Sequence, residues 1–294
     1  MLSEAQQTMQ SWARVVESYD AVPTVYRNYL ATLLGATQVF PYVVITPAQA
    51  GYFHKTTAKL ICEVNNTIYV LEQVGHQIVA KGYPLKAIRD VEVGIILLYA
   101  WITISGVTTE GIATTSTFVF NSVTESLFTP LVNHIRSISS DVDAPGVSTE
   151  RAKFDYLMPL SFKFMNYGKS SLLAGEKVMH IVWQPEIRGP VVSLLGWAFN
   201  RTISTAHLII LTDKEMILIR EDERVGGNRD FRYGGVWQYI PLRSIVSISL
   251  SKQADDLCKL SVFLFDHGRL DQMFTVANQD EVAHLQTEFA KLIR

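Results

Sequence analysis

Apolar residues at Leu2, Ala5, Met9, Trp12, Val16 and Tyr19 recur three or four positions apart, the spacing of one helix face. With Ser3 and Gln6 placed as a capping box, they predict an amphipathic helix over residues 3 to 20. Its other face is not basic, so packing on a domain or a partner fits it better than a membrane surface. Pro23 breaks the pattern, and Tyr26, Tyr29, Leu30 and Leu33 predict a second, shorter helix. Residues 1–36 therefore read as a helical N-terminal arm. Further on, the apolar pattern changes. Short alternating or wholly apolar runs near 178–184, 206–211, 215–220, 236–240, 243–250, 259–265 and 270–276 predict strands. Turn signals separate them at Thr212-Asp213-Lys214, Gly226-Gly227-Asn228 and Asp266-His267-Gly268. The last segment returns to helical spacing, with Val282, Leu285, Phe289 and Leu292 on one face. Asp280 and Glu281 in its first turn and Lys291 with Arg294 in its last complement the helix dipole.

The same pattern occurs twice. Thr57-Ala58-Lys59-Leu60-Ile61 returns as Thr205-Ala206-His207-Leu208-Ile209, and the register holds without a gap through Leu71 against Ile219. Tyr83-Pro84-Leu85-Lys86-Ala87-Ile88 returns as Ile240-Pro241-Leu242-Arg243-Ser244-Ile245, and Val43-Val44-Ile45-Thr46-Pro47 as Ile181-Val182-Trp183-Gln184-Pro185. The offsets are 138, 148 and 157, so the second copy has gained about ten residues in each of two loops, where insertions are tolerated. Copies this long predict tandem domains, each able to close its own core. In the first copy the final helix opens at Ser122 and Glu125 as another capping box, shows Leu127, Leu131 and Ile135 to the core, and is kinked or shortened by Pro130. The small, polar stretch Ser137 to Ser148 contains Pro145-Gly146 and marks a linker. The domains are then 37–140 and 169–294, joined by 141–168, within which residues 149–167 have a mixed pattern that belongs to neither side.

Composition narrows the class. The chain has 294 residues, 48% of them apolar and 18% charged, enough for two ordinary cores. A net charge of -2 supplies no basic field to draw nucleic acid or anionic membranes. Cys62 and Cys258 do not match between the copies and form neither a disulfide framework nor a zinc site, so a reducing compartment is expected. The start has no signal-peptide pattern, and the longest apolar run, Val93 to Ile104, is far short of the ~20 residues of a spanning helix. A cytoplasmic protein is expected.

Roughly seven antiparallel strands followed by one helix is the layout of the pleckstrin-homology superfold. The second copy resembles its bacterial and GRAM-type versions in Leu172-Leu173-Ala174-Gly175-Glu176-Lys177-Val178, in Leu211 to Ile219 across a hairpin, and in Ile240-Pro241-Leu242-Arg243-Ser244-Ile245. The likeness covers most of residues 170–294. The first copy lacks the Gly-Glu entry and has Asn65-Asn66-Thr67 at its hairpin. The fold class implied is mainly β (α+β): two tandem barrels, each with a capping C-terminal helix, behind the helical arm. The resemblance implies a binding or scaffolding module rather than an enzyme.

Candidate chemistry is sparse. Gly168-Lys169-Ser170 looks like the tail of a phosphate loop, but Lys163 stands where that motif needs glycine. The seven histidines are scattered; Glu281 and His284 share a helix face, yet one pair makes no metal site without partners. His267 in its Asp-His-Gly turn reads as a solvated hairpin residue, and the charge-rich stretch from Arg220 to Arg232 as a solvated loop. No catalytic residue, cofactor or metal is expected.

Both copies share one feature between their first two strands. Gly51-Tyr52-Phe53-His54-Lys55 in the first is echoed by Gly196-Trp197-Ala198-Phe199-Asn200-Arg201 in the second, where Pro190 to Leu195 adds an apolar insertion. In the resembled family this loop is where lipid headgroups or membranes are often met. Two readings stay open for Tyr52, Phe53, Lys55, Leu194, Leu195, Trp197, Phe199 and Arg201. One is contact with protein, within the chain or in a self-associating scaffold. The alternative is peripheral membrane or lipid binding through loops 51–56 and 190–202, although few basic residues stand ready for a phosphorylated headgroup. Nucleic acid is not an expected partner.

Overall fold

The computed structural model describes residues 12–35, 39–50, 55–137, 147–189, 192–194, 197–199, 202–222, 234–253 and 256–293. The chain divides into two compact units, Met1–Ile138 and Ser139–Arg294. It is mainly β, with antiparallel sheets and a C-terminal helix. Among the described residues no helix is long and apolar enough to cross a membrane.

In the first unit the strands are β1 (Arg14–Val16), β2 (Val43–Thr46), β3 (Gln49–Ala50), β4 (Lys55–Thr56), β5 (Lys59–Val64), β6 (Thr67–Val74), β7 (Gln77–Pro84), β8 (Ile88–Ile96), β9 (Tyr99–Val107) and β10 (Ala113–Asn121). Helix α1 (Thr24–Leu34) precedes β2, and α2 (Thr129–Ser137) follows β10. The order β1-β2-β5-β6-β7 forms one sheet, and β8, β9 and β10 form a meander. Asn65 and Asn66, with φ of 52° and 58°, make the tight hairpin that joins β5 to β6.

The second unit opens with α3 (Val147–Ala152) and α4 (Phe162–Ser171). Its strands are β11 (Val178–Gln184), β12 (Ile187–Arg188), β13 (Val192–Leu194), β14 (Trp197–Phe199), β15 (Thr202–Ser204), β16 (His207–Thr212), β17 (Glu215–Arg220), β18 (Gly234–Pro241), β19 (Ile245–Lys252), β20 (Leu257–Leu264) and β21 (Arg269–Thr275), before α5 (Gln279–Leu292). Strands β11, β16, β17 and β18 pair in succession, as do β19, β20 and β21.

The two units repeat each other in register. Val43 pairs with Cys62 as Ile181 pairs with Ile210, and Thr46 with Lys59 as Gln184 with His207. A 3₁₀ turn follows β7 and β18 at Leu85–Ala87 and Leu242–Ser244, and the next strand begins with a bulge after Ile88 or Ile245. The repeat reaches further toward the N-terminus than the sequence match. Phe162 lies 138 residues after Thr24, so α1 and α4 are counterparts, with Phe164 in the place of Tyr26 and Gly168 in that of Leu30.

Both helices cover the outer face of their sheet. Tyr26 and Leu30 pack with Val43, Ile45, Leu60 and Cys62, and the Tyr26 hydroxyl donates to the Ala58 carbonyl at 2.9 Å. In the second unit the Phe164 ring lies 4.5 Å from that of Trp183. Gly168 brings α4 in close, for a Cβ there would stand 2.5 Å from the Phe154 ring. Because both faces are covered, β16 is buried along its whole length. Gly168-Lys169-Ser170 is therefore helix, not a phosphate loop, and the span 149–167 that fitted neither domain belongs to the packing of the second unit.

The inner face of the second unit holds Ile209 and Leu211, Met216 and Leu218, then Cys258, Leu260, Val262 and Leu264, each set two residues apart as a pleated strand requires. Val282, Leu285 and Phe289 of α5 complete this core, on the face the sequence predicts.

Three expectations are corrected. The helix expected over 3–20 does not extend through 14–16. The β-branched Val15 and Val16 instead pair with Val44 and Val43, and a 3₁₀ turn occupies Tyr19–Ala21. Residues 1–11, with Ser3 and Gln6, lie outside the described residues. At the end of the first unit Ser122 caps nothing: its hydroxyl donates to the Leu97 carbonyl at 2.7 Å, and the Asn121 side chain accepts from Val123. Pro130 then falls in the first turn of α2, where a missing N–H costs no helical bond; of the two outcomes expected of it, the helix is shortened to Thr129–Ser137 rather than kinked. Third, the main strands of each unit lie in two separate sheets, not one hydrogen-bonded ring. In the first unit side chains bridge the gap: Lys59 and Lys81 donate to the Thr117 and Thr115 carbonyls of β10 at 2.9 Å each, and Tyr83 meets Ser116 at 2.9 Å.

Candidate functional site

Between the first two long strands of the second unit the chain builds two stacked ribbons. β12 pairs with β15, Ile187 opposite Ser204 and Arg188 opposite Thr202, with a bulge between the two pairs. Beyond it β13 pairs with β14: Val192 with Phe199, Ser193 with Ala198 and Leu194 with Trp197. Residues paired across a ladder share a face, as do residues two apart along a strand. The register therefore sets Val192, Leu194, Trp197 and Phe199 on one face of this ribbon, and Ser193 and Ala198 on the other. In the first unit the described residues form the lower ribbon, β3 with β4, where Lys55 pairs with Ala50.

Of the residues singled out from sequence, Leu194, Trp197 and Phe199 thus come together on one ribbon face, and Lys55 sits in the equivalent ribbon of the first unit. Tyr52, Phe53, Leu195 and Arg201 lie outside the described residues.

The base of the double ribbon is polar and firmly held. Arg188 binds Glu186 through Nε and Nη2, the shorter contact being 2.9 Å, and Thr202 donates to the same carboxylate at 2.9 Å. A cavity of about 640 Å³ opens beside this base, lined by Ile187, Arg188, Ile203, Asp256, Leu257 and Val276. Under it lies a network that pattern reading misses. The Gln184 carboxamide oxygen accepts from the Thr275 amide at 3.0 Å and from Asn278 Nδ2 at 2.9 Å, while its Nε2 donates to the Pro185 carbonyl at 3.0 Å. Asn278 also reaches the Trp183 carbonyl at 2.9 Å. Gln184, buried at the end of an apolar strand, thereby ties β11 to β21 and to the start of α5. Its one sequence signal is a polar residue closing an apolar run just before Pro185.

His207, paired with Gln184, is buried as well. Its Nδ1 meets the Thr205 carbonyl at 2.9 Å and its ring stands edge-on to Phe274 at 4.8 Å. Burial lowers its pKa to about 4, so it is neutral near pH 7. It packs between Gln184 on the neighbouring strand and the Phe274 ring. The double ribbon thus rises from a hydrogen-bonded base. Compared with protein-family models and with curated protein sequences, the chain matches none.

Proposed function

We propose that the chain is a non-catalytic interaction module of two pleckstrin-homology-like domains that self-associates through the β13–β14 ribbon. The four-strand, three-strand and helix succession in each unit supports the family reading. One observation carries the functional one, the register that gathers Val192, Leu194, Trp197 and Phe199 on a single face. A two-stranded ribbon is at best marginally stable in water, so an apolar face of this kind needs a cover. A second copy of the chain supplies the same face in return, as a two-fold contact requires. The alternative cover, an anionic membrane, is less favoured because Arg188 at the ribbon base is already neutralised by Glu186.

The test is the size of the full chain in solution beside that of Trp197→Ser/Phe199→Ser, with liposome co-sedimentation of both. Self-association predicts a parent dimer that the double variant reduces to monomers without lipid. A monomeric parent whose liposome binding is lost in the variant would replace this reading with the membrane one. A double variant that melts far below the parent would place the aromatics in a core and end both.

A further inference from the structure

Where β11 runs beside α5 in the second unit, three metal-ligating side chains converge. His180 lies on β11; Glu281 and His284 lie one turn apart on α5. One ligand atom from each falls within 4.8 Å of the other two. His180 Nε2 is 3.2 Å from a Glu281 carboxylate oxygen, and the two imidazole rings are 4.6 Å apart, edge to face. The pairing of β11 with β16 shifts between Val178 and His180, a bulge of the kind that re-aims a side chain.

A purely structural account explains only part of this. His180 Nε2 also meets the Glu281 carbonyl oxygen at 2.9 Å, pinning strand to helix. At the equivalent place in the first unit the Tyr42 hydroxyl donates to the Leu127 carbonyl, in the 3₁₀ turn before α2, at 2.7 Å. A pin needs neither a second imidazole nor a carboxylate. The second unit has both, and a further shell behind them. His284 Nε2 lies 3.1 Å from Glu288, which in turn holds Lys291 at 2.6 Å. A histidine whose one ring nitrogen donates to a carboxylate presents the other as a lone pair of fixed direction, the arrangement that orients metal-bound imidazoles.

We propose that His180, Glu281 and His284 form a binding site for a divalent transition-metal ion of the zinc class. Two imidazoles and one carboxylate suit such an ion better than calcium or magnesium, which take oxygen ligands. Ligand atoms about 2.0 to 2.2 Å from a tetrahedral ion stand roughly 3.3 Å apart. Metal binding would draw the three groups, now within 4.8 Å of one another, to that spacing, with His180 exchanging its hydrogen bond to the Glu281 carbonyl for the metal. Glu281 and His284 are exposed, which gives the ion an entry path. Three protein ligands leave a fourth position open, and a cavity of about 480 Å³ lined by His180, Glu281, Tyr156, Trp183 and Asn278 adjoins the site.

The test is calorimetric titration of the metal-stripped full chain with zinc chloride, repeated with cobalt to record the absorption of a tetrahedral ion. The expected result is one tight equivalent per chain, absent from both His284→Ala and Glu281→Gln. The same equivalent should persist in Glu288→Gln with affinity reduced roughly 10- to 100-fold. It should be unchanged in His134→Ala, which removes the His134–Glu63 pair of the first unit. His284 is exposed, so its variant should melt with the parent in the absence of metal. If it does not, Glu281→Gln, nearly the same shape, decides. No zinc binding by the parent, or a tight equivalent that survives in a folded ligand variant, overturns the proposal.

Discussion

Pro84 and Pro241 hold the same place in their two units: each ends a strand, opens a 3₁₀ turn and hands the chain to the other sheet. The residue after each donates back to a hairpin carbonyl, Leu85 to Asn66 at 2.9 Å and Leu242 to Lys214 at 3.0 Å. A proline has no N–H to continue a ladder, and its fixed φ suits the first step of a turn. The sheet switch is thus written locally in Pro-Leu, which is why these six-residue stretches stand out in the internal match.

Phe289 is buried on α5 among Val282, Leu285 and the inner faces of both sheets. Phe289→Ala should cost roughly 3 to 5 kcal/mol, lost burial plus the cavity left behind. Denaturant unfolding measures it. A loss below about 1 kcal/mol would show that α5 does not seal the core.

Gly168→Ala sets two effects against each other. Alanine favours a helix over glycine by about 1 kcal/mol. Its Cβ, however, would meet the Phe154 ring at 2.5 Å and Leu208 at 3.2 Å. Overpacking typically costs 1 to 3 kcal/mol, so a net loss of about 1 kcal/mol is expected, and Phe154→Leu in the same chain should recover part of it. A stabilised single variant would mean that α4 lies further from its sheet.

Gln184→Leu removes the acceptor shared by the Thr275 amide and Asn278. Leaving buried donors unpaired costs about 1 to 3 kcal/mol each. Hydrogen exchange should quicken first at Thr275 and the start of α5. Unchanged protection there would show that the network does not clamp the ribbon base.

The pH dependence follows from His207. Its pKa falls from 6.5 unfolded to about 4 folded, because burial opposes the charged ring. Between those values the unfolded chain binds more protons, so stability declines as pH drops from about 6.5 toward 4. The full effect is on the order of 3 kcal/mol at 1.36 kcal/mol per pKa unit. His207→Phe should flatten this part of the profile. A variant as acid-sensitive as the parent would place the sensitivity in other groups.

Much of the second unit is legible in its pattern. Alternation and turn residues mark its seven long strands, and β11 and β17 span the residues the pattern predicts. The misreadings have physical causes. The 3-4 spacing predicts a helix through Tyr19, yet the β-branched Val15 and Val16 pair beside β2. Ser122 and Glu125 have capping spacing, but the Ser122 hydroxyl is taken by Leu97, a partner 25 residues distant. Helix α4 is hard to see because Gly168 stands where an apolar residue would announce a core face, and close packing is the reason it is there. The Glu281 and His284 pair is visible on paper. His180, 101 residues before Glu281, becomes its neighbour only through the fold.

That α1 and α4 belong to the repeat changes where the protein can be divided. A chain begun at residue 169 would retain all of β11 to α5, yet lose Phe154, Phe164 and Met165, each buried in the second unit. Trp183 and Leu208 would then face water on a continuous apolar sheet surface, the kind that brings strangers together. Such a fragment should form its strands and still aggregate. The covering helix is what keeps this one sheet face out of water and leaves any association of the second unit to its other surfaces.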